Sequence, residues 1–221
     1  MWDERIMAFL SQLTFDARLP KGFAVMNPYQ NAVTLDLCRQ FYARYYRDEK
    51  PRTLLLGINP GRFGSGVTGI SFTDPVRLND TLGIANPFAR KPELSSDFIY
   101  RMITAFGGPE LFYQRFFISA VSPLGFLHNQ RNVNYYDDVR LQKAATPFIV
   151  RSIDQLVGMG VNREVVFSVG EGENLKFLQK MNEEKGWFAR VEGLPHPRFI
   201  MQYRRKRLAE FIDRYLEALG R

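Results

Sequence analysis

Four short apolar runs, each closed by a Pro- or Gly-rich turn, constrain this chain more than any other feature. They are Thr53–Ile58, Phe116–Val121, Glu164–Val169 and a weaker fourth, Ala189–Leu194. Their turns are Asn59-Pro60-Gly61, Ser122-Pro123, Gly170-Glu171-Gly172 and Pro195-His196-Pro197. Runs without strict alternation read as strands buried on both faces. Helical spacing fills the intervals at Ser96–Phe106, Asn174–Glu184, Gln202–Leu219 and from Thr146 to Leu156, where Thr146-Pro147 reads as a cap and first turn. Two more helices precede the first strand, over 3–13 and 34–46, the latter with Thr34 as N-cap. This alternation predicts an α/β fold: a three-layer α/β/α sandwich around a mostly parallel four-stranded sheet. With no repeat and no linker, the 221 residues read as one domain, 1–221.

One cysteine, Cys38, excludes a disulfide framework within the chain and points to a reducing compartment. Asp3 and Glu4 stand where a secretory leader carries positive charge, and no run reaches the ~18 apolar residues of a membrane span. A cytoplasmic protein without a membrane partner is expected, nucleoid-associated in a bacterium or nuclear in a eukaryote. The net charge of +7 favours a polyanionic partner.

In parallel sheets ligands bind beyond the carboxyl ends of the strands, so chemistry is sought in those turns. The loop Gly57–Phe72 (GINPGRFGSGVTGISF) holds five glycines and allows close backbone approach. It lacks the Gly-Lys-Ser/Thr of a P-loop and the spacing of a dinucleotide site, and no helix is expected to open from it. His128 and His196 are the only histidines, and no HExxH or oxygen-ligand cluster accompanies them, so neither a metal nor a cofactor is expected. Ser119 and Ser122 lie outside any GxSxG elbow. His196 is flanked by prolines that aim it. Arg198 and the run Tyr203–Arg207 follow directly and put positive charge where a phosphate backbone could be gripped.

The sixteen residues Gly57–Phe72 resemble, without a gap, the first motif of the single-strand-selective monofunctional (SMUG-type) uracil-DNA glycosylases: Gly-Met-Asn-Pro-Gly-x-Phe-Gly, then Thr-Gly-x-x-Phe. Val25–Tyr29, Leu82-Gly83-Ile84, Ser122-Pro123-Leu124 and Arg131-Asn132 follow the family order, and His196-Pro197-Arg198 is similar to the superfamily's second motif. The resemblance implies that Asn59 orients the attacking water and that His196 stabilises charge on the departing base. It implies a base pocket walled by Ile58 and Gly61, with Phe72 stacked on the flipped base. It implies DNA contacts from Arg62, Ser65, Arg198, Arg204 and Arg205, with the segment Arg198–Arg205 as a wedge loop. The partner would be DNA carrying a damaged base, bound by a monomer.

A stacked base cannot be attacked, so such enzymes extrude it. Asn59 cannot be a true general base, so slow turnover driven by leaving-group stabilisation is expected. Neither motif holds a lysine for a lyase step. One departure stands out: Ala120 occupies the position of the family asparagine that reads the uracil edge. Base reading then falls to the backbone, Ser119, Ser122 or Asn132, and deaminated purines such as xanthine or hypoxanthine join uracil as candidates. The rival readings are a catalytically weak or inactive binder of damaged or single-stranded DNA, and a hydrolase of free nucleosides.

Overall fold

A computed structural model describes all of residues 1–221. In chain order the strands are β1 (Phe23–Met26), β2 (Thr53–Gly57), β3 (Phe116–Ala120), β4 (Gly125–His128), β5 (Arg131–Val133), β6 (Val165–Val169) and β7 (Arg190–Leu194). The helices are α1 (Trp2–Ser11), α2 (Ala32–Tyr45), α3 (Ser65–Thr68), α4 (Pro75–Asp80), α5 (Leu94–Phe106), α6 (Pro109–Arg115), α7 (Val139–Gly158), α8 (Glu173–Lys185), α9 (Pro197–Tyr203) and α10 (Leu208–Ala218).

The central sheet is parallel, in the order β3-β2-β6-β7. Leu54, Leu55 and Leu56 of β2 are wholly buried, because the strand is paired on both edges and covered on both faces. The chain leaves β2 toward β3 and leaves β6 toward β7 in opposite directions. Right-handed crossovers therefore put α5 and α6 on one face and α8 on the other, with α7 beside α8. Strand order reverses between β2 and β6, which opens a crevice at their carboxyl ends. The expected three-layer sandwich is the fold.

A second sheet, β1-β4-β5, is antiparallel and was not expected. Its β4–β5 hairpin turns on Asn129 and Gln130, both at positive φ (49° and 63°), the geometry of a two-residue turn usually flagged by glycine. Without an Asn-Gly or Asp-Gly pair the turn carried no signal.

Several expected boundaries are corrected. Asn31, not Thr34, caps α2; its Oδ1 accepts the N–H groups of Val33 (2.9 Å) and Thr34 (3.3 Å). The Thr34 hydroxyl instead donates to the Val67 carbonyl at 2.8 Å. Helix α7 starts at Val139 behind the Asp138 cap, so Pro147 lies inside it. The apolar stripe Leu141, Ala145, Phe148 continues through the proline and outweighs the one lost backbone bond. The expected helix over Gln202–Leu219 is broken at Arg204–Arg207 into α9, a short 3-10 turn and α10. The segment from Arg198 is thus mainly helix rather than a loop. One turn of helix, α3, does open from the glycine-rich stretch.

Candidate active site

The carboxyl ends of all four parallel strands surround a cavity of about 680 Å³. Its first wall is the loop after β2. Gly57 has no side chain because the Phe72 ring lies against it; a Cβ there would sit 3.0 Å from two ring carbons. Phe72 holds φ at +52°, an uncommon conformation for a bulky residue, as strained residues at functional sites often do. Neighbouring bonds over-determine it. The Thr68 hydroxyl donates to the Thr73 carbonyl (2.6 Å), the Thr73 hydroxyl pairs with Tyr100 (2.9 Å), and the Tyr29 hydroxyl donates to the Gly69 carbonyl (3.1 Å). The Ser65 hydroxyl accepts the Gly61 N–H at 3.3 Å and closes the loop on itself. The Glu93 carboxylate, reaching in from the start of α5, fills the space where a Cβ on Gly64 would fall. Burial, and then the charge of Asp74, raise the Glu93 pKa.

The second wall carries His196. The buried Tyr215 of α10 donates to the Pro195 carbonyl at 2.5 Å and anchors the turn. His196 caps α9: its Nδ1 accepts the Arg198 N–H at 3.2 Å. The proton of the neutral ring therefore resides on Nε2. Burial, and secondarily the Arg198 charge, lower the His196 pKa to about 4, so the ring is neutral near pH 7. Its centroid is 6.2 Å from that of Phe72, with the planes inclined at 57°.

Asn59 joins the first wall to a third, the segment after β4. Its Oδ1 accepts the Tyr135 N–H at 3.1 Å, and its Nδ2 donates to the Val133 carbonyl at 3.2 Å. One Oδ1 lone pair remains free. Arg62 makes a second tie to this segment, donating to the Gln130 carbonyl at 2.6 Å.

Of the residues singled out in the sequence, Ile58, Asn59, Gly61, Ser65, Phe72 and Ser119 line this one cavity. Asn132, His196 and Arg198 line it as well. Ser122 does not: it is wholly buried and its hydroxyl donates to the Leu124 carbonyl at 2.7 Å, so it cannot read a base. Arg62, Arg204 and Arg205 lie outside the lining. Arg62 rests over the Phe63 ring (4.8 Å) and Arg204 over Phe199 (5.3 Å). Ala120 lines the cavity and leaves it without an amide at that point. Sequence reasoning did not single out Glu93, Asn134 or Asn174, all in the lining; Phe199 and Tyr203, from the expected wedge segment, line it too. Asn174 had a signal, since it ends the turn after β6; Glu93 had none. No group of three or more His, Cys, Asp or Glu side chains is arranged to hold a metal ion. No helix is long and apolar enough to cross a membrane.

This arrangement has counterparts among known proteins. The model of the uracil DNA glycosylase superfamily matches residues 43–220, and the chain belongs to that superfamily. The single-strand selective monofunctional uracil DNA glycosylase of Mus musculus is 31% identical over 140 residues, covering 56% of this chain and 48% of that protein. The Rattus norvegicus protein of the same name matches to the same extent. The chain thus spans about half the length of the curated relatives it matches. A crystal structure of wild-type SMUG2 from Pedobacter heparinus superposes with a TM-score of 0.95 at 42% identity, covering 98% of this chain and 96% of that one. The resemblance read from Gly57–Phe72 and the expected fold class are both borne out.

Proposed function

We propose that this chain is a monofunctional DNA glycosylase that extrudes a uracil nucleotide and hydrolyses its N-glycosidic bond, as the first step of base excision repair. The observation that carries the reading is the convergence of Asn59, Phe72 and a neutral, Nε2-protonated His196 on one cavity. Phe72 offers a face for the extruded base to stack on. Cleaving the C–N bond places negative charge on the base, and the His196 Nε2–H is a preorganised donor for it. Such donors are worth about 2.7–4 kcal/mol in a site shielded from water. The free lone pair of Asn59 Oδ1 orients a water without taking its proton, which is consistent with slow turnover. No lysine lines the cavity, in keeping with hydrolysis rather than a Schiff-base lyase step.

Ala120 leaves base choice open toward xanthine, hypoxanthine and hydroxymethyluracil, with Ser119 and Asn132 as the polar side chains from the sequence reading that remain in reach of a base. Arg198 on the rim, with Arg62, Arg204 and Arg205 outside it, would contact phosphates. The enzyme would act as a monomer, without metal or cofactor, in the cytoplasm or on the nucleoid of a bacterium, or in a eukaryotic nucleus. The intact constellation does not favour the reading as an inactive binder. The test is a panel of oligonucleotides carrying each of these bases, single- and double-stranded, treated with alkali after incubation. Strand scission at uracil is the expected result; no scission at any base would overturn the proposal.

A further inference from the structure

We propose that Tyr135 and Asn174 are positioning residues that set the orientation of the Asn59 amide; this rests on the place given above to Asn59 in the reaction. The Tyr135 N–H can only donate and the Val133 carbonyl can only accept, so these two groups admit one of the two ways the Asn59 amide can point. A flipped amide would face donor against donor and acceptor against acceptor. The orientation is therefore only as firm as residues 133–135. The chain just before them is exposed at Arg131 and Asn132 and belongs to an edge strand that pairs on one side only.

Besides the pairing of Val133 with β4 and the Asn134 N–H bond to Asp137, the Tyr135 side chain anchors this segment to the core. It is wholly buried, packs edge-on against Phe177 of α8 (5.0 Å), and its hydroxyl donates to Asn174 Oδ1 at 3.0 Å. Asn174 is itself 1% exposed. Its Nδ2 donates to the Ser168 hydroxyl at 3.0 Å, and that hydroxyl donates to the Gly170 carbonyl at 2.8 Å. Hydrogen bonds at both ends of Tyr135, joined by its own covalent frame, thus connect the end of β6 through α8 to Asn59. This connection bridges the two strands where the sheet order reverses. A polar network this deeply buried holds one geometry because each broken member leaves an unpaired group in low dielectric.

The test reads two quantities in the full-length protein: the single-turnover rate of base release from a saturating uracil oligonucleotide, and hydrogen exchange at the backbone amide of position 135. Tyr135→Phe removes one hydroxyl and keeps the ring. It is expected to slow release about tenfold with oligonucleotide affinity unchanged, and to speed exchange by a similar factor. Asn174→Ala is expected to do the same. In an Asn59→Ala background, Tyr135→Phe should cost no further rate, because its effect passes through an amide that is gone. An equal further loss in that background would mean that Tyr135 acts through general packing, and would overturn the proposal. So would unchanged rate and exchange in Tyr135→Phe. Were the wild-type chain to release no base, the place of Asn59 in the reaction would fall, and exchange alone would decide the linkage: unchanged exchange overturns it.

Discussion

The two ends of strand β2 use polar groups in opposite ways. Just before its first residue, the Arg52 guanidinium is wholly buried. It is gripped by the Asp48 carboxylate and donates to the carbonyls of Lys50 (2.6 Å) and Tyr113 (3.2 Å). It also lies over the rings of Tyr46 (5.3 Å) and Trp2 (5.6 Å). Four of its five N–H donors have partners and the group is sealed from solvent, so no ligand reaches it. Beyond the other end, Asn59 and His196 are each partly satisfied by the fold, through residues 133–135 and the Arg198 N–H; Asn59 keeps one Oδ1 lone pair free and His196 keeps its Nε2–H. A polar group sealed among its partners yields stability; one with capacity left open to a cavity yields a site.

Substitutions at the two ends should separate these roles. The largest effect is expected from Arg52→Met, which takes the donor from the carbonyls of Lys50 and Tyr113 and from the Asp48 carboxylate; each unpaired buried group costs about 1–3 kcal/mol. Thermal melting would register the loss, while base release per folded molecule at low temperature should be unchanged. A negligible drop in Tm would break the contrast. His196→Ala should slow single-turnover release by about 10²–10³-fold, the worth of one oxyanion donor. Its cost in stability should be only that of a lost N-cap, about 1 kcal/mol.

Gly64→Ala tests the loop between these extremes. Its new Cβ would displace the Glu93 carboxylate, and overpacking of this kind costs about 1–3 kcal/mol. Both melting temperature and rate should fall, because the loop is wall and scaffold at once.

pH should act on the functional end in a defined direction. The folded pKa of His196 is lowered to about 4 from an ordinary value near 6.5. Between those values the unfolded chain takes up a proton that the native ring refuses. Its contribution to stability is therefore full above about pH 6.5 and is lost as pH falls toward 4. Release requires the neutral ring, so the acid limb of its rate profile should lie near pH 4; a limb near 6.5 would show the ring to be unshielded. The smallest effect is expected from Arg198→Ala, which should reduce the slope of log affinity against log salt by about one if the side chain meets a phosphate.

Much of the scaffold was legible because buried strands and their turns are local patterns. The runs ending at Asn59, Ser122, Gly170 and Pro195 marked the sheet, and its carboxyl ends marked where to look. Thr146-Pro147 misled because a proline signature is also local, whereas the stripe that carries α7 past it is a matter of packing. The β4–β5 hairpin escaped notice because Asn129 and Gln130 accept positive φ without glycine.

The sequence by itself determined the strand-and-helix alternation, the strand-end turns and the types of side chain placed there, since each depends on neighbours a few residues away. Only the tertiary structure decided which of those side chains share the cavity, that the Ser122 hydroxyl is turned into its own backbone, that His196 is neutral with its proton on Nε2, and that Asn59 is clamped by a segment 74–76 residues further on. Desolvation and hydrogen-bond partnership depend on what surrounds a group in space, and the surroundings exist only once distant strands have been brought side by side.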